Sequence, residues 1–92
     1  MRILVTPTFE RTVKKLHHSQ KSALDDAVRT VISQPEIGET KVGDLAGVQI
    51  YQFRTGQMLC LLAYRLLDAN TLKLLMVGPH ENFYRDLKRL GN

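Results

Sequence analysis

The chain holds a single cysteine, Cys60, so no disulfide can form within it. Cys60 lies in the apolar run MLCLLAY (Met58 to Tyr64), where a small buried hydrophobe is the expected role. No hydrophobic stretch approaches the length of a membrane span. The opening MRILVT carries one positive charge and too short an apolar run for a signal peptide, so the cytoplasm is the expected compartment. His17 and His18 are adjacent and His80 is remote, and no Cys/His spacing of a zinc site is present. A Gly-rich phosphate loop and a serine or cysteine nucleophile context are missing as well. No metal and no cofactor are therefore expected, and a nucleotide-dependent enzyme is disfavoured. Repeats, low-complexity segments and linkers are absent.

What is present is enough for one domain, residues 1–92. Hydrophobic residues make up 43% and charged residues 24%, the balance of a folded chain rather than a disordered one. Thirteen basic residues against nine acidic leave a net charge of +4, which suits an anionic partner without naming one.

Residues Ile3 to Val5 read as a short strand. Thr6-Pro7 then caps and opens a helix, with Phe9, Val13 and Leu16 on one stripe. Arg11, Lys14, Lys15 and His18 cover the rest, either as a solvated face or as a surface for nucleic acid or an acidic partner. His18-Ser19 breaks that helix, and Ser19 is the expected cap of a second. Leu24, Ala27, Val28, Val31 and Ile32 keep its period until Pro35 forbids continuation. The two helices should pair as an antiparallel hairpin whose apolar stripes lie against a sheet.

Residues 36–47 turn polar and glycine-containing, a loop with Lys41 as its one basic residue. VQIYQFR (Val48 to Arg54), the Thr55-Gly56 turn and QMLCLLAYR (Gln57 to Arg65) form a hairpin. Asp68-Ala69-Asn70 turns into a third strand, Thr71 to Val77. The middle strand is apolar on both faces and should be central and covered on both sides. Gly78-Pro79 stops the third strand, and His80 and Glu81 open a last helix carrying Phe83, Leu87 and Leu90. Gly91 fits its C-terminus. Polar side chains at that strand-to-helix junction, beside helix N-terminal amides, suit an anionic group such as a phosphate. The plainer alternative is a turn with His80 standing in for a cap.

VGPHENFYRDLKR resembles the C-terminal signature of RelE/ParE-type toxins of bacterial toxin–antitoxin pairs. LAGVQIYQFRTG resembles the pattern of those toxins in which leucine and glycine precede a strand ending in arginine before a glycine turn. Arg54 matches that arginine. The resemblance runs from the opening strand through Arg89. It implies an α+β fold, a βααβββ core with a twisted, mostly antiparallel four-stranded sheet. A helical hairpin covers one face, and a C-terminal helix lies at the cleft side. Two positions depart from the pattern: Leu59 and Gln52 stand where relatives have basic residues.

The resemblance implies the toxin of a type II toxin–antitoxin pair, with a cognate antitoxin as partner. One branch of such toxins cleaves messenger RNA on the ribosome without metal, and the other inhibits DNA gyrase without cleavage chemistry. A chain that has lost toxicity and only binds its antitoxin is a third reading. The first is the expectation carried forward. Metal-free RNA cleavage needs a base near the 2′-hydroxyl, cations around the phosphate and an acid for the leaving oxygen. Histidine suits base or acid duty. The candidate catalytic residues are His80, ranked first, then Arg65, with Arg54, Tyr84 and Glu81. Arg54 and Arg65 would hold the phosphate, Tyr84 would stack on a base or donate a hydrogen bond, and Glu81 would serve as a base, or as an acid only with a raised pKa. Lys14, Lys15, Lys41 and Arg85 are the candidate RNA contacts. Each has a plainer role, Arg85 for instance favouring a helix C-terminus.

Overall fold

The computed structural model describes residues 1–90. Strand β1 (Arg2–Val5) leads into helix α1 (Pro7–Lys14) and helix α2 (His18–Ser33). After a one-turn 3₁₀ helix (Pro35–Ile37) come β2 (Glu39–Thr40) and a second 3₁₀ turn (Gly43–Leu45). Strands β3 (Gln49–Thr55), β4 (Met58–Asp68) and β5 (Thr71–Pro79) form a meander, and α3 (Phe83–Lys88) follows. The sheet order is β1-β5-β4-β3-β2, antiparallel throughout except for the parallel β1–β5 pair.

The α+β class expected from the sequence is therefore the observed one, with five strands rather than four among the described residues. The addition is the two-residue β2, which pairs through Glu39 with Ile50 and Thr40 with Gln49. A polar two-residue strand carries no alternation, so the segment 36–47 reads as plain loop in sequence. Strand β5 also outlasts its expected end, Pro79 still pairing with Cys60. Proline is tolerated there because it is the last residue and its missing N–H breaks no interior ladder bond.

Helix α1 starts where the sequence places it. The Thr6 hydroxyl oxygen accepts from the Phe9 N–H at 3.0 Å and donates to the Leu75 carbonyl at 2.6 Å. One side chain thus caps the helix and ties it to β5. Helix α2 starts one residue before Ser19: His17 occupies the cap position, and its N–H donates to Gln20 Oε1 at 2.9 Å. The helices lie on one face of the sheet, α1 against β5 and α2 against β3. Phe9, Leu24, Ala27 and Val31 pack there on Leu62, Tyr64, Leu72, Leu74 and Val77. Across the sheet, Phe83 and Leu87 of α3 close a smaller core over Ile50, Leu61, Ala63 and Met76. β4 is central and buried from both sides, as its doubly apolar sequence requires.

The last helix begins later than expected. His80 and Glu81 lie in the turn, and Asn82, in the left-handed region at φ 62, occupies the cap position, without a side-chain hydrogen bond, before a helix that starts at Phe83. Asparagine tolerates that conformation better than most residues. The helix has only 6 residues, so the anion-attracting amide end expected at His80 and Glu81 is not built there. Gly91 lies outside the described residues.

Candidate functional site

On the β3 side of α3, the sheet face on which Ile50 packs and the connection carrying Lys41 bound the candidate cleft, whose hollow at the Lys41 end is lined by Lys41, Val42, Asp44, Leu45, Tyr84 and Lys88. Side chains alternate along a strand, so Gln52 and Arg54 stand on the same face as Ile50. Arg54 pairs with Leu59 across the hairpin, and the His80 backbone N–H donates to the Leu59 carbonyl at 3.2 Å. Arg54 and His80 thus flank Leu59 at one end of the sheet, two strand spacings or about 10 Å apart at the backbone.

His80, in the turn, and Tyr84, in the first turn of α3, have rings that meet edge to face with centroids 6.2 Å apart. Phe83, buried beneath, meets Tyr84 edge to face at 5.8 Å. The opposite wall supplies Lys41, whose backbone N–H donates to the Val48 carbonyl at 2.9 Å. Its ammonium stands over the Tyr84 ring, 5.0 Å from the centroid, and 3.2 Å from Glu39 Oε1. Burial opposes the charge of Lys41, yet the Glu39 and Tyr84 side chains outweigh it and hold the lysine pKa above its ordinary value. Lys88 of α3 meets Asp44 at 3.9 Å beyond it, around a hollow of about 290 Å³.

The structure therefore brings His80, Tyr84 and Lys41 together and sets Arg54 at the same sheet end as His80. The other candidates fall elsewhere. Arg65 is on the same sheet face, but Leu59 to Arg65 is about 20 Å of strand. Its cross-strand partner is Lys73, and its guanidinium lies against Gly47, where an added Cβ would come 2.5 Å from Nη1. Glu81 lines a slot on the other side of α3, with Asp86, Thr8 and Thr12. Arg85 is turned outward to Asp86 Oδ1 at 3.3 Å. Lys14 and Lys15 are exposed at the end of α1, on the helical layer across the sheet from the cleft.

One ring face of Tyr84 is taken by Lys41, which closes that face to a stacking base and leaves the hydroxyl as its polar handle. Two cleft residues escape the sequence reading. Gln52 registers there only as a lost cation, although alternation from Ile50 already puts it on the cleft face. Glu39, which holds Lys41, carries no sequence signal, because its place depends on β2.

The family model described as "ParE-like toxin of type II bacterial toxin-antitoxin system" matches residues 3–88. No curated protein matches the chain by sequence. Among solved structures, the chain is similar to one in the intact RelBE toxin–antitoxin complex of E. coli. There the TM-score is 0.70 and the identity 17%, over 87% of this chain and 96% of that one. It is also similar to the isolated RelE toxin of E. coli, with a TM-score of 0.68 and 17% identity over 97% of each chain. At that identity the likeness is one of fold. The match over residues 3–88, on a sheet and helices laid out as described, establishes that the chain belongs to the ParE-like toxin family of type II bacterial toxin–antitoxin systems.

Proposed function

We propose that this toxin acts in the cytoplasm as a ribosome-dependent, metal-independent endoribonuclease that cuts messenger RNA and stops translation. The observation that carries the reading is the placement of a histidine, a tyrosine and a lysine around one cleft, with Arg54 at its end. Those groups meet the needs of RNA cleavage through the 2′-hydroxyl. The His80 imidazole takes the 2′-hydroxyl proton as O2′ bonds to phosphorus. Arg54 holds the non-bridging oxygens, whose negative charge grows in the transition state. The P–O5′ bond breaks, the Tyr84 hydroxyl gives its proton to the departing 5′ oxygen, and a 2′,3′-cyclic phosphate remains. Lys41 beside the tyrosine offsets the negative charge left on the phenol oxygen.

The partner is a small antitoxin encoded beside this chain, a largely disordered segment that folds on binding. It contacts the helical hairpin and the sheet edge. Such a segment covers a large area at the cost of its own ordering. The excess of cations on α1 and α3 supports an acidic partner of that kind.

Primer extension on messenger RNA after induction tests the reading. Discrete cuts in phase with codons are expected, with growth restored by the adjacent reading frame. DNA breaks and an induced SOS response without such cuts would move the target to DNA gyrase. Expression without growth arrest, and no small reading frame alongside, would leave neither toxin activity nor antitoxin.

A further inference from the structure

We infer that Lys41 is a substrate-binding residue, a pre-positioned ammonium that holds a phosphate flanking the scissile one. The inference rests on the ribonuclease reading for its substrate, a single-stranded RNA. Its evidence is the geometry of the cleft's far wall. An ammonium has three N–H donors. In Lys41 the Glu39 carboxylate at 3.2 Å takes one, and the Tyr84 side chain, through its ring face and its hydroxyl, takes a second direction. Among the described residues the third has no partner. The side chain is only 23% exposed, against 56% for Lys88 on the same hollow. Most of the rotamer freedom a lysine gives up on binding is already gone, so an anion reaching this cleft meets a fixed charge.

The phosphate it meets is not the one at His80 and Arg54. The Lys41 backbone is hydrogen-bonded at Val48, about 20 Å along the chain from Arg54, and its ammonium lies on the Tyr84 ring rather than beside His80. Tyr84 stands between, its ring against His80 on one side and under Lys41 on another. One strand lying in the cleft therefore offers different phosphates to Arg54 and to Lys41. Sequence shows why a second cation matters here. Gln52, on the same face and between these two points, is neutral, and Lys88 on the same hollow faces Asp44 at 3.9 Å, so Lys41 is the more enclosed of the cations beyond Arg54.

The test uses an RNA oligonucleotide made uncleavable by a 2′-deoxy substitution at the cut site, bound to the full chain at low salt. Its phosphates are replaced one at a time by neutral methylphosphonates. One linkage, displaced from the one sensed by Arg54→Ala, should weaken wild-type binding about tenfold. Lys41→Met protein should bind about tenfold more weakly and ignore that substitution. Its salt slope should fall by about 0.7. Thermal melting reports whether the variant folds. If it does not, wild-type protein with ¹³C-methylated lysines gives the same answer. The Lys41 signal should shift with the parent oligonucleotide and stay still with the substituted one.

No linkage behaving this way, or no RNA bound at all, overturns the inference. Lys41-dependent binding without cleavage by wild-type protein on ribosomes would sink the ribonuclease reading and leave Lys41 in place. Cleavage with every linkage blind to Lys41 would do the reverse.

Discussion

The Tyr64 hydroxyl stands where a side chain at Gly38 would have to go, 2.6 Å from the place of its Cβ. It donates to the Pro35 carbonyl at 2.6 Å and accepts from the Gly38 N–H at 2.9 Å, with the Gln49 amide oxygen 3.0 Å away. One buried side chain of the central strand thus anchors the start of the connection that carries Lys41. The next residue, Arg65, lies on the opposite face against Gly47 and backs the end of that same connection. Tyr64→Phe leaves the Gly38 and Pro35 groups without their partner and should cost about 1–3 kcal/mol in urea unfolding. Gly38→Ala should also destabilise, since the hydroxyl can yield only by breaking those bonds. If both variants unfold at wild-type urea concentrations, the anchor has no weight.

Leu61 and Leu74, on the adjacent strands β4 and β5, are buried in the two different cores of the sheet. Leu→Ala at either should cost about 2–5 kcal/mol, a large part of the stability of so small a domain. Because the two sites face opposite layers, their costs should nearly add in the double variant. A loss below about 1 kcal/mol at both would contradict the burial described.

Stability should fall at alkaline pH. Burial pushes the Cys60 thiol up from its ordinary 9.0 and the Tyr64 phenol up from 10.0. Burial lowers the Lys41 pKa, but Glu39 and Tyr84 raise it more, leaving it above 10.5. In each case the folded chain keeps its proton to a higher pH than the unfolded chain does. Each contribution is therefore whole below the unfolded pKa and lost as pH rises through the folded one. Urea midpoints should hold steady up to about pH 8 and then decline, with Cys60→Ala flattening the earliest part of the fall. A midpoint that rises with pH in this range would reverse the assigned signs.

The two arginines first considered for the phosphate should separate cleanly. Arg54→Ala, at the sheet end with His80, should lower cleavage by roughly 10²-fold with the fold intact. Arg65→Ala should lower stability instead and leave cleavage per folded molecule near wild type. Gly47→Ala tests the same contact from the other side. It forces a side chain onto the arginine at φ +88, a conformation costing a non-glycine residue about 1–2 kcal/mol. Equal losses of cleavage at Arg54 and Arg65 would mean that the cleft extends over the whole sheet face.

The helices and the meander were legible because their signals are local: a capping Thr6, a stop at Pro35, and a strand apolar on both faces. The cleft was legible in part. His80 and Arg65 each end a strand in the sequence, which by itself does not say whether they converge. β4 and β5 run antiparallel, so their C-terminal ends fall at opposite ends of the sheet. β3 and β5 run the same way, each antiparallel to β4, which is why Arg54 and His80 do meet at one end. Lys41 was recognisable as a loop cation. Its place over Tyr84 was not, since it depends on a two-residue edge strand and on the Tyr64 and Arg65 contacts across the sheet.

Ribosome-programmed cleavage of messenger RNA by purified His80→Gln protein, its fold confirmed by circular dichroism, bears most directly on the proposed chemistry. Glutamine keeps hydrogen-bonding capacity at the turn but cannot take up and release a proton. Cleavage should fall by roughly 10²–10⁴-fold while antitoxin binding survives. Full activity of the folded variant would remove His80 from proton transfer and contradict the assignment of the cleft as its active site.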